Sequence, residues 1–281
     1  ADDLESSKAT QNRRSKLQSF RLNLPVNPTG SYADQLVPVK EGSPWDYYRN
    51  AFGLELGGYV AIVCRTPATG DLYAMHSFSG SSREKKLYML RQLKHENLLR
   101  PVEIFSFEGS FHVISEYTAI SLEGIILVRP SEIQLAAIVH QILDAICYLE
   151  SEELIHGSIT CPNVLLTTTG LVKIANPESC STTTPEDRLD DTKALGLIMS
   201  ELMDESLEDG VTSVGSGGPT LRINKPSVWS SEALDFMTLT MTASASKLAE
   251  VSLSLSLTSD EADFSSIRSS GIQFRQMSLF P

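Results

Sequence analysis

His156-Gly157-Ser158-Ile159-Thr160-Cys161-Pro162-Asn163-Val164-Leu165-Leu166 lies near the middle of the chain. A polar stretch broken by Gly157 and Pro162 gives way to an apolar run, which predicts a loop closed by a strand over 163–166. Just upstream, Ile133, Ala137, Ile138, Ile142, Ile146 and Leu149 recur at helical spacing. They predict an amphipathic helix over 131–151, with Ser131 and Glu132 suited to its start. Downstream come a second short strand at 171–174 and a helix over 190–203.

The first half of the chain reads differently. Residues 52–64 predict two strands around a glycine turn, and Leu72 to Phe78 a third. Leu87, Leu90 and Leu93 mark a helix over 82–94. Two more strands are expected at Val102–Phe107 and Phe111–Tyr117. A strand-rich half followed by a helical half is an α+β, two-lobed pattern. Residues 1–44 are polar, carry Pro25, Pro28, Pro38 and Pro44, and read as a disordered extension. The boundaries expected are an N-lobe at 45–118, a C-lobe at 119–251 and a flexible Ser-rich tail at 252–281. Within the C-lobe, 204–224 reads as an acidic, Gly-rich loop and 229–251 as helical. The alternation of Leu and Ser at 253–257 also suits an edge strand.

Composition narrows the function. The 281 residues carry a net charge of −12 and are 41% hydrophobic, ordinary for a globular domain. That acidity argues against nucleic acid, which needs a basic surface. Cys64, Cys147, Cys161 and Cys180 are scattered without a C-x-x-C pair, so neither a zinc site nor a disulfide framework is expected. No apolar run is expected to reach the ~20 residues of a bilayer span. The polar start, Ala1-Asp2-Asp3-Leu4-Glu5, reads as no signal peptide, and its lack of Met as a processed chain or fragment. These features together lead us to expect an intracellular protein, cytoplasmic or nuclear, with no membrane association.

The stretch at 156–166 resembles the catalytic loop of protein kinases, H-R-D-L-x-x-x-N, through His156, Pro162 and Asn163. Other patches resemble the family in the same order. Tyr73-Ala74-Met75-His76 resembles the V-A-I-K strand, and Leu90 to Leu98 the end of the αC helix. Val113-Ile114-Ser115-Glu116 resembles the strand into the hinge, with Ser115 at the gatekeeper position. Asn176-Pro177-Glu178 stands at D-F-G. Asp191 to Gly196 resembles the D-x-W-x-x-G start of αF, and Ser231 to Phe236 a late C-lobe helix. The resemblance covers about residues 45–251 and implies a bilobal protein kinase-like fold.

It also implies that the chemistry is lost. Kinase catalysis is positioning plus charge neutralisation, so each missing group has a definable job. The phosphate-binding Lys is His76, mostly neutral at pH 7, and the αC position of its Glu partner is counted to Lys86. Lys86 and nearby Glu84 read as solvated charges. Ser158 stands for the catalytic Asp and cannot act as a base near neutral pH. Thr160 replaces the Lys that steadies the γ-phosphate, and Gly157 the Arg that reads a phosphorylated activation loop. Asn163 is kept, as a loop anchor. Asn176 replaces the metal-binding Asp and is a weak ligand for a hard dication. In the glycine-rich loop Gly53, Gly58 and Val60 match, but Glu55 takes the place of a glycine, where its carboxylate repels phosphate. An adenine-sized slot remains between Val60 and Ala74 above and Leu165 below, beside Ser115 and Glu116.

The expected function is therefore a pseudokinase acting as scaffold or regulator, whose partner is another protein, with an active kinase as candidate. No cofactor is required; weak ATP binding is compatible with the slot, and Mg²⁺ is not expected. Two alternatives stand. One is a divergent ATP-binding Ser/Thr kinase with weak phosphotransfer, using Glu178 as a displaced metal ligand. The other is a truncated product without settled role.

Overall fold

The computed structural model describes residues 36–67, 70–118, 120–126, 130–204, 221, 223 and 226–258. The extension at 1–35, nearly all of the acidic loop at 204–224 and the tail beyond 258 lie outside the described residues.

Six strands form one sheet in the order β1-β5-β6-β4-β3-β2. They are β1 (Val39–Glu41), β2 (Tyr48–Glu55), β3 (Tyr59–Arg65), β4 (Leu72–Phe78), β5 (Pro101–Phe107) and β6 (Ser110–Glu116). Alternating side chains give the sheet two apolar faces. Helix α1 (Arg83–Gln92) covers one, where Leu87 and Leu90 pack with Phe78, Ile104, Phe111 and Val113. Tyr48, Val63, Met75, Phe105 and Ile114 cluster on the other.

β1 corrects the boundary expected at residue 44. Val39–Glu41 pairs in parallel with β5, Val37 and Val39 pack onto the α1 side of the sheet, and Lys40 is ion-paired to Glu103. The prolines around it mask this strand in the sequence, because a three-residue edge strand has too little pattern to read.

The second lobe is built around α3 (Glu132–Ser151). Ser131 and Gln134 close a capping box at its N-terminus. Ile142, Ala145 and Leu149 are fully buried among the remaining helices. These are α2 (Leu122–Ile126), α4 (Asp190–Met203), α5 (Ser231–Leu239) and α6 (Ala245–Thr258). By length and composition α3 would suffice to cross a membrane, contrary to the expectation that no segment would; its apolar face is the centre of this core.

The helical stretch expected at 229–251 is two helices. It breaks at Thr240, fully buried, whose hydroxyl donates back to the carbonyl of Met237 at 2.6 Å. Ser230 caps α5 and also donates to Glu132 on α3. α6 continues to Thr258, so the tail expected from 252 begins with helical backbone and not with an edge strand. Once Ala245 and Leu248 are buried, each further turn needs only propagation.

Small antiparallel pairs hold the cleft side of this lobe: β7 (Ile120–Ser121), β9 (Val164–Leu166) and β10 (Val172–Ile174) in one sheet, β8 (Leu154–Ile155) with β11 (Ser181–Thr182) in another. The turn after α1 ties the lobes together. Leu99 N–H donates to Ile174 C=O, and Ile174 N–H to Asn97 C=O. The buried Asn97 amide donates to Val172 C=O and to Gln141 of α3.

Candidate functional site

The loop at 156–163 is held from behind by α4. Asp191, in the first turn of that helix, accepts from the backbone N–H of His156 at 2.6 Å and of Gly157 at 2.9 Å. Burial pushes the Asp191 carboxyl up against the pull of those two amides. His156 is also buried. Its Nε2 lies 2.9 Å from Ala175 C=O. A carbonyl only accepts, so Nε2 carries the proton and Nδ1 is left to accept. Ser158 Oγ, 3.3 Å away, supplies that donor. Burial lowers the His156 pKa and keeps the ring neutral. The hydroxyl at the Asp position is thus spent inside the loop.

The two asparagines face each other. Asn163 Nδ2 donates to Ser158 C=O at 2.7 Å, and its Oδ1 accepts from Asn176 Nδ2 at 3.3 Å. Asn176 sits in the left-handed region, φ 59°, which Asn tolerates. Its amide also donates to Gly57 C=O at 3.2 Å, so the glycine turn between β2 and β3 rests on both asparagines. Gly57 adopts φ +67°; a Cβ there would overlap Asn163 Oδ1 and stand 3.2 Å from Asn163 Cα.

A third arrangement lies deeper. His76, on β4, points its Nε2 at Glu178 Oε1, 3.4 Å away, and both side chains are largely buried. Glu178 belongs to the one-turn 3₁₀ helix Pro177–Ser179, on which α1 packs. Burial pushes its carboxyl up, but the His76 ring and the Lys86 ammonium pull it down harder, and its pKa lies below the usual value. Neither His76 Nε2 nor the other oxygen, Oε2, has a hydrogen-bond partner among the described residues, so the pair is an electrostatic contact. Lys86 is half-buried, with its Nζ 5.9 Å from the Phe78 ring. This corrects the reading of Lys86 as a solvated charge: one face of α1 aims it at the sheet. Glu84 is exposed and paired with Arg83.

Residues 76–216, half of the chain, match the profile of protein tyrosine and serine/threonine kinases. The chain belongs to this protein kinase family. Orangutan (Pongo abelii) serine/threonine-protein kinase TAO3 is 31% identical over 197 residues, which cover 63% of this chain and 22% of that kinase. Xenopus laevis TAO1-A is 32% identical over the same length, 20% of its own. Mouse cyclin-dependent kinase-like 4 is 26% identical over 132 residues, 43% of this chain and 39% of that protein. The match thus spans only about a fifth of the TAO kinases. Among solved structures, the twitchin kinase region of C. elegans superposes with a TM-score of 0.62 at 15% identity, covering 78% of this chain and 48% of that one. It shares the fold: a β-rich N-lobe above a helical C-lobe.

Within that kinase fold, the residues expected at the site have different placements. Ser158, Asn163 and Asn176 are hydrogen-bonded to neighbouring groups, and His76 faces Glu178 at 3.4 Å without a hydrogen bond. Thr160 is exposed and its carbonyl accepts from Asn163 and Val164, so it shapes the turn. Ala74 and Ser115 are cross-strand neighbours, both buried, and Ser115 Oγ has no partner among the described residues. Glu116 is paired with Lys173 on β10 at 3.1 Å.

Gly53 does not face the slot. The Tyr59 ring lies against it, and a Cβ there would stand 2.7 Å from that ring. The slot itself differs from expectation. Leu165 packs in one cluster with Leu56, Leu99 and Ala175, and with Val60 and Leu54 at its edge.

Two participants escaped the sequence. In the sequence Glu178 reads only as a displaced metal ligand, because the partner of the β4 cation is sought on α1. Leu56 sits at a variable point of the glycine loop and carries no motif. Among the described residues no three His, Cys, Asp or Glu side chains gather as a metal cluster. A cavity of about 380 Å³ lies behind the loop, lined by Ile146, Glu150, Leu154, Pro185 and Arg188. It does not open on the cleft residues named above.

Proposed function

We propose that this domain has no phosphotransferase activity and acts as a protein-binding scaffold or regulator. The observation that carries the reading is the His76–Glu178 pair. In an active kinase the β-strand cation holds the nucleotide phosphates, and a glutamate on αC keeps it there. Here the side chain at the cation position is turned to a carboxylate supplied by the 3₁₀ turn that follows the metal position. A buried carboxylate in that place repels triphosphate instead of neutralising it. Ser158, donating to His156, adds the loss of the base.

The domain requires no cofactor in this reading. Its partner is a protein inside the cell, and an active kinase fits best, because kinase folds offer the lobe surfaces that regulate one another. Kinase relatives favour a second reading, slow phosphotransfer by a divergent Ser/Thr kinase. Transfer of the γ-phosphate of ATP to generic Ser, Thr and Tyr substrates, with Mg²⁺ and with Mn²⁺, separates the two. We expect no transfer above a protein-free blank. Transfer that His76→Ala abolishes would establish the second reading.

A further inference from the structure

The cleft between the lobes holds a side chain of its own chain. Leu56, at the tip of the glycine loop, is only 7% exposed, although it belongs to a turn between two exposed strand ends. It packs with Leu165, Leu99 and Ala175, and Val60 closes on it from β3. Leu165 and Val60 are the two surfaces between which the kinase resemblance places an adenine. Next to Leu56, Gly57 lies against Asn163 and its carbonyl accepts from Asn176. Those asparagines stand where the kinase resemblance places the two metal ligands, beside the triphosphate. The Leu56 N–H donates to Gly58 C=O at 2.9 Å, which tightens the turn, and the positive φ of Gly57 and Gly58 makes that shape accessible.

We infer that the glycine turn is the resident ligand of this cleft. Leu56 takes the place of the base and Gly57 that of the phosphates, so adenine nucleotide is excluded and lobe closure needs none. This goes beyond the loss of phosphotransfer, which is compatible with bound ATP. The physical basis is competition. Nucleotide can enter only the fraction of molecules whose loop has lifted, so its apparent affinity falls by that fraction.

Two variants lift the loop by different means. Gly57→Val places a branched side chain onto Asn163 and in a backbone conformation that Val avoids. Leu56→Ala removes the side chain from the slot. Titration of the full chain with ATP by calorimetry, once with Mg²⁺ and once with EDTA, should show no saturable binding to wild type. Each variant should bind ATP at least ~10-fold more tightly, the gain expected if the loop is lifted in fewer than about one molecule in ten.

Leu56→Cys, which keeps a small apolar side chain in the slot, reports on the seat of the loop. Its thiol should react with iodoacetamide far more slowly than a solvent-exposed cysteine, and ATP should not alter that rate. Tight ATP binding by wild type, or a rapidly alkylated Cys at 56, would overturn the inference while leaving the loss of phosphotransfer intact. Folded variants that gain no affinity would overturn it too. Phosphotransfer by wild type would instead sink the proposed function.

Discussion

The loop at 156–163 is held on two sides in two different ways. On its outer side, a single buried carboxylate, Asp191, takes the backbone amides of His156 and Gly157, and nothing is left over. On its cleft side, Ser158 bonds His156, Asn163 and Asn176 bond each other and hold the glycine turn, and Glu178 faces His76. The outer side does what any chain with this loop must do: it pairs buried amides, whatever chemistry the loop carries. The cleft side does what a catalyst must avoid, which is to turn its polar groups toward one another. Architecture and activity therefore rest on separate residues here, and one can be lost while the other stands.

The largest effect should come from breaking the outer side. Asp191→Ala leaves two donors without an acceptor, the His156 amide buried and the Gly157 amide partly so, and loss of a buried partner costs about 1–3 kcal/mol. We expect roughly 2–5 kcal/mol of destabilisation, read from urea unfolding. A loss below ~1 kcal/mol would mean the amides find water, and the contrast between the two sides would dissolve. Gly157→Arg restores a family residue at φ +70°. The left-handed region costs a side-chain-bearing residue about 1–2 kcal/mol. The variant should unfold earlier by about that amount and gain no activity. An unchanged midpoint would show the loop to be freer than its pairing with Asp191 implies.

The cleft side responds to acid. The folded pKa of Glu178 lies below its usual 4.5. Ionised Glu178 therefore contributes stability that is complete above about pH 4.5 and is lost as pH falls through the folded value. The wild-type-minus-Glu178→Gln difference in thermal midpoint should be constant near neutrality and shrink below pH 4.5. A difference that grows on acidification would reverse the sign and exclude an ionised Glu178 at His76.

Much of this was legible beforehand, for particular reasons. α3 declares itself through apolar residues at helical spacing, and Ser131 marks its start, whereas the capping box with Gln134 appears only in the structure. The loop frame showed in His156, Pro162 and Asn163, because a buried ring, a rigid turn and a bidentate amide leave few substitutes. What stayed hidden depends on tertiary partners. Val39–Glu41 is a strand only because β5 offers an open edge. The break at Thr240 needs the fold around it: α4 passes so close at Gly196 that a Cβ there would collide with the Thr240 side chain. The pairing of Glu178 with His76 and the seat of Leu56 are invisible, because neither pairing nor plugging leaves a spacing in the sequence.

The smallest effect expected is the most pointed. Ser158→Asp restores the family carboxylate in the half-buried cleft. Its cost should be small, under about 1 kcal/mol, since only one weak 3.3 Å hydrogen bond is exchanged. Its gain in phosphotransfer should be nil. A base accelerates transfer only to a phosphate already held, and His76 is still turned to Glu178 while Asn176 still bonds Asn163. Measurable transfer by this single variant would mean that the other cleft contacts give way readily to nucleotide, and that the missing base alone keeps the domain silent.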